Sequence, residues 1–67
     1  MAVATVTKIT AASPTSFHDA VQEGFTRASK TLRGITGFHI VDHKASVTNG
    51  KISEYRVTME VTFVLEN

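Results

Sequence analysis

An α+β fold in the order β-α-β-β is predicted by three features of this sequence. Apolar residues recur at helical spacing between Phe17 and Leu32. Apolar and polar residues alternate strictly from Tyr55 to Leu65, as in a strand with one buried face. Asn49-Gly50 is a two-residue hairpin signal between the last two β segments. Together they describe one domain, residues 1–67, with an antiparallel sheet and one helix packed on one of its faces.

Val3 to Ala11 (VATVTKITA) is rich in β-branched residues and reads as the first strand. Ala12 to Ser16 reads as a turn into the helix, with Ser16 as N-cap and Asp19 as an acidic first-turn residue. From there Phe17, Ala20, Val21, Gly24, Phe25, Ala28 and Leu32 trace one helical face. Asp19, Gln22, Glu23, Thr26, Lys30 and Arg33 occupy the other. Lys30 and Arg33 are expected in the last turn, where cations favour the helix dipole, and Gly34 is the expected stop.

The second strand is expected from about Gly37 to Thr48. Its alternation changes phase, because Phe38 and Ile40 have the opposite parity to Ala45 and Val47. A β-bulge near Asp42 brings all four to the core side and leaves Gly37, His39, Lys44 and Ser46 on the other. The third strand, Ile52 to Leu65, has an apolar face of Tyr55, Val57, Met59, Val61, Phe63 and Leu65. Glu54, Arg56, Thr58, Glu60 and Thr62 form its polar face.

A chain of 67 residues buries only about 60% of its unfolded surface and is marginal alone. There are no cysteines and only three histidines, so neither disulfides nor thiolate metal sites can reinforce it. Self-association is the remaining remedy. A third strand of about 14 residues reaches about 45 Å, whereas a helix of about 16 residues covers about 24 Å. The uncovered end of the strand, with Phe63 and Leu65, is expected to meet another subunit.

A net charge of +1 lends no support to a nucleic-acid or membrane role. The first residues lack a basic region and a signal-length apolar core, and no run approaches membrane-span length. A cytoplasmic location is the default expectation. No catalytic constellation is visible: there is no cysteine nucleophile, no Gly-x-Ser-x-Gly elbow and no phosphate-binding glycine loop. A non-enzymatic protein is therefore expected, with no metal site, since His39 and His43 lack an obvious third ligand.

The polar face of the third strand is either simply solvated or lines a shared cavity. Glu54, Arg56 and Glu60 alternate in sign and can equally form ion pairs. A hairpin register that sets Lys44 beside Arg56 creates a repulsive pair unless an anion or carboxylate intervenes, which suits a phosphate-bearing ligand or Glu54. Arg27, Lys30 and Arg33, at steps of three, can contribute to one basic patch or to an ordinary solvated helix end.

Ser13-Pro14-Thr15-Ser16-Phe17, Ala28-Ser29-Lys30-Thr31-Leu32-Arg33 and the run from Glu54 to Glu66 resemble the strand–helix junction, helix end and long last strand of the dodecins. The match covers nearly the whole chain. The resemblance implies a three-stranded antiparallel sheet wrapped partly around one helix. It also implies a hollow homododecamer, about 88 kDa from twelve chains of 7.3 kDa, with ligand pockets at subunit interfaces. Family members bind FMN or riboflavin and are thought to store flavin or quench its photochemistry. Some bind coenzyme A near the helix end, where Arg27, Lys30 and Arg33 stand, and a branch has been linked with calcium. The implied flavin pocket contains Gly37, Phe38, Lys44, Ser46 and Arg56.

Two departures weigh on the ligand. Gly37 stands where flavin-binding members carry a stacking tryptophan, and Arg56 stands where they carry a glutamine that reads the ring edge. Stacking contributes about 1–3 kcal/mol per contact. Losing about 2 kcal/mol at each of two symmetry-related walls weakens binding roughly a thousandfold. Arginine keeps donors but lacks the acceptor needed for a ring N–H, and it suits a phosphate instead.

Overall fold

In the computed structural model the described residues are 3–65. The elements are β1 (Val3–Ser13), α1 (Phe17–Thr31), β2 (Ile35–Thr48) and β3 (Lys51–Leu65). The sheet order is β1-β3-β2, with both pairings antiparallel. The strand with the cleanest alternation therefore lies in the centre. Val57, Met59 and Val61 of β3 are fully buried under α1, and Ala20 closes on them from the helix. Ile9, Ala11, Phe17, Val21, Leu32, Ile35 and Ile40 pack around this cluster. Fully burying an aliphatic side chain stabilises by about 1.5–3 kcal/mol, so this row of β3 anchors the register on both sides. Gly24 permits the close approach of α1: a Cβ there would lie 3.0 Å from both Ala11 Cβ and Met59 Cε.

The helix begins as expected. The Ser16 hydroxyl accepts from the Asp19 backbone N–H at 2.9 Å, satisfying one orphan donor of the first turn. The preceding turn is shorter than expected, because Ala12 and Ser13 continue β1 and pair with Arg56 and Tyr55. Ser13 is the reason. Its buried hydroxyl donates to Asp19 Oδ2 at 2.6 Å and accepts from the Thr15 N–H at 2.9 Å. One side chain thus ties the strand end to the helix start across Pro14.

The far end of α1 also differs from expectation. Only Lys30 lies in the last turn; Arg33 lies beyond the helix, because Leu32 is already extended (φ −105°, ψ 137°). Gly34 then reverses the chain at φ +76°. Its carbonyl accepts from the Val64 N–H at 2.9 Å, tying the connection to β3.

The bulge near Asp42 is present. Ile40 faces Met59 and Asp42 faces Thr58, leaving Val41 as the extra residue. Further irregularities occur between Ile35 and Gly37 and between Ser46 and Val47. Asn49 and Gly50 both have positive φ, 52° and 76°, as a two-residue primed hairpin turn requires. The helix of 15 residues spans about 22 Å, while the described chain extends 52 Å in its longest direction. Apolar side chains therefore stay exposed beyond the helix, among them Val47, Ile52 and Leu65.

Gly34 and Gly37 separate two kinds of glycine. At Gly34 a Cβ would meet Val64 O at 2.9 Å with φ positive, whereas at Gly37 it would meet nothing within 4 Å. Gly34→Ala is expected to lower stability by about 1–3 kcal/mol, and Gly37→Ala by less than about 0.5 kcal/mol. Thermal denaturation at one protein concentration checks this; equal losses would contradict the assigned conformations.

Candidate ligand-binding face

The period of two in β3 sends Glu54, Arg56, Thr58, Glu60 and Thr62 to the face opposite the helix. The two registers align partners on this face in rows. Thr62 lies between Val6 and Gly37, Glu60 between Lys8 and His39, Thr58 between Thr10 and Asp42, and Arg56 between Ala12 and Lys44. Glu54 faces Ser46. Several side chains meet across these rows. Thr10 and Thr58 share a hydrogen bond of 3.2 Å between their hydroxyls. His39 Nδ1 lies 3.6 Å from Glu60 Oε1. Arg56 Nη2 donates to Glu54 Oε1 at 3.1 Å, with both side chains partly exposed.

Four of the five pocket residues thus share this face: Gly37, Lys44, Ser46 and Arg56. Phe38 does not. It pairs with Val61 on the helix side, and its ring lies 5.8 Å from that of Phe25. A single residue step in a strand reverses the side chain, so Phe38 cannot stand in for a ring at Gly37 within one chain. The bulge also divides the histidines. His43 pairs with Val57 on the helix side and meets the Phe17 ring edge-on at 5.0 Å, while His39 lies on the polar face. Among the described residues no group of three His, Cys, Asp or Glu is placed to hold a metal ion.

Arg27 and Arg33 each line a groove of the single chain. Arg27 lines a groove of about 460 Å³ between α1 and β1, with Glu23 and Thr31 on its rim and Ile9, Ala11, Gly24 and Ala28 among its apolar lining. Arg33 lines a second groove of about 270 Å³ with Leu32, Phe63 and Val64. Lys30 lines neither. Thr31 lines both grooves, so they adjoin at the end of α1.

The Lys44–Arg56 row is the chemical centre of the polar face. Two cations occupy directly opposed positions, which is unfavourable in an antiparallel pair. Glu54, two residues from Arg56 on the same strand face and one of the two expected partners of the pair, is the carboxylate in contact with one of them. No helix among the described residues is long and apolar enough to cross a membrane.

The fold and face define a small α+β protein in which an open sheet presents a charged surface and one helix covers part of the other side. The chain belongs to the dodecin family: the model of that family, described as Dodecin, matches residues 3–66. A curated dodecin from Thermus thermophilus is 36% identical over 47 residues, covering 70% of this chain and 68% of that protein. The dodecin from Streptomyces davaonensis superposes with a TM-score of 0.93 at 33% identity, covering 98% of this chain and 97% of the other. A calcium-chelating immunodominant antigen of Mycobacterium tuberculosis, a calcium dodecin with a novel calcium-binding site, superposes with a TM-score of 0.82 at 32% identity, covering 96% and 91%.

Lys44→Gln removes one member of the opposed pair. It is expected to raise stability at low ionic strength by about 0.2–1 kcal/mol, and the gain should vanish as salt screens the charges. Denaturant titrations at two salt concentrations check this. A salt-independent loss would mean that Lys44 forms a favourable contact instead.

Proposed function

We propose that this protein is a non-enzymatic binding and storage protein. It assembles as a hollow homododecamer and takes up a small phosphate-bearing ligand against the polar face of its sheet. The family's ligand class, flavin, supplies the first ligand to test, with FMN ahead of riboflavin. The observation that carries this choice is Lys44 opposite Arg56 on an exposed face. A phosphate monoester carries about −1.5 to −2 charge at neutral pH. It relieves the repulsion between two cations and accepts a forked pair of hydrogen bonds from a guanidinium. Riboflavin, with no phosphate, gains neither.

The space around Gly37 supports the same site. Nothing lies within 4 Å of a Cβ there, so a planar ring can approach the backbone of β2. Without tryptophan, ring stacking is lost, and a larger share of the affinity falls on the phosphate contacts. Coenzyme A is a second phosphate-bearing ligand of the same class. Arg27 and Arg33 line two grooves that adjoin at Thr31, where its phosphates would find cations. The calcium dodecin of M. tuberculosis motivates an ion-binding or structural alternative, in which carboxylates would act with carbonyl or water oxygens.

Flavin fluorescence anisotropy, which reads binding without needing a quenching aromatic, separates these outcomes. A saturable rise in anisotropy with the wild-type protein is expected for FMN, and a weaker one or none for riboflavin. Gly37→Trp combined with Arg56→Gln is expected to strengthen riboflavin binding by about thirtyfold or more, from restored stacking of about 1–3 kcal/mol at each of two walls. Undetectable FMN binding by the wild type together with no gain in the double variant would remove flavin as the ligand. Calorimetric titration with coenzyme A and with calcium would then identify which alternative holds.

A further inference from the structure

Two carboxylates accompany the two cations around this site, and only one of them touches a cation. Glu54 accepts from Arg56 at 3.1 Å. Asp42 lies one row away, facing Thr58, and makes no ion pair among those of the described residues. Lys44, Arg56, Glu54 and Asp42 together sum to zero charge, so a site meant to hold a phosphate carries no net attraction for it while Glu54 is in place. The remaining neighbours, Ala12, Ser46 and Thr58, are neutral.

The Glu54–Arg56 contact has the properties of an exchangeable one. It uses a single guanidinium nitrogen, Nη2, where a forked carboxylate pair would use two. Both side chains keep solvent access, 51% for Arg56 and 37% for Glu54, so the pair is weakened by water and salt. A phosphate placed between Lys44 and Arg56 can accept from both cations, which Glu54 does not.

Resting on the binding function proposed above, we propose that Glu54 is an internal competitor for the ligand's phosphate. It holds Arg56 when the site is empty and is displaced when phosphate arrives. It thereby sets the threshold of anionic charge that a ligand must bring, and so discriminates FMN from weaker anions. Glu54 acts through Arg56 and does not itself bind the ligand.

The test compares wild type, Glu54→Gln and Asp42→Asn, two variants that remove the same charge from neighbouring rows. FMN and riboflavin are titrated by flavin fluorescence anisotropy, and inorganic pyrophosphate by its effect on melting temperature. Glu54→Gln is expected to tighten FMN about fivefold at low salt, the upper end for an exposed ion pair. Riboflavin should change less than about twofold, and pyrophosphate should stabilise this variant at correspondingly lower concentration. Asp42→Asn is expected to shift FMN less than Glu54→Gln does. Equal effects of the two variants, or FMN binding that Glu54→Gln leaves unchanged or weakens, would overturn the role of Glu54 while leaving the binding function intact. Absence of flavin binding in every variant, with pyrophosphate still more effective on Glu54→Gln, would overturn the flavin ligand and leave Glu54 as competitor. No response of any variant to pyrophosphate would overturn the competitor role itself.

Discussion

The burial of Val57, Met59 and Val61 beneath α1 is the constraint on which the rest of this structure depends. A strand has a side-chain period of two, so burying one parity dictates the other. Once these three residues face the helix, Glu54, Arg56, Thr58, Glu60 and Thr62 must face away. The partners on β1 and β2 follow through the register, including Lys8, His39 and Lys44. A slip of one residue would place Arg56 and Glu60 under the helix, where unpaired charge costs several kcal/mol. The charged face is therefore specified by the core, although no charged residue belongs to the core.

The same strand links a local property to assembly. β3 is 15 residues long and α1 has 15 residues, but a helix advances less than half as far per residue as a strand. One helix cannot cover the sheet it packs on. Exposed apolar residues lie at the ends of the sheet, Val47 and Ile52 at the hairpin and Leu65 at the other end, and Val6, Phe25, Phe38 and Val41 are exposed elsewhere. Both edge strands, β1 and β2, also present unpaired backbone, a state that proteins usually cover. In a chain without cysteines, further copies of the chain are the natural cover. Membership of the dodecin family accords with such self-association.

Much of this was legible in the sequence, because its cues were local. Ser16 and Asp19 announced the helix start, Asn49-Gly50 announced the hairpin, and the phase change around Asp42 announced a bulge that aligned Lys44 with Arg56. The misses have a common physical cause: they depend on contacts between segments. Ser13 stays in β1 because its hydroxyl bonds Asp19 and the Thr15 amide, which strand propensity cannot reveal. Arg33 leaves the helix because the chain turns early, with Gly34 tied to Val64. On the candidate site, parity separated Phe38 from Gly37, but the partner of Arg56 was a choice among Glu54, Glu60 and a ligand. Only side-chain geometry singled out Glu54. The ligand itself was least legible, since the two positions at which the family resemblance would name flavin are occupied by Gly37 and Arg56.

The length of β3 makes the folded chain incomplete by itself. Sedimentation equilibrium during dilution, followed together with circular dichroism, reads this in the solution mass. A species near twelve times the chain mass of 7.3 kDa is expected, with secondary structure lost in step with dissociation. A folded species at the mass of one chain, cooperative in its unfolding and stable on dilution, would contradict the account.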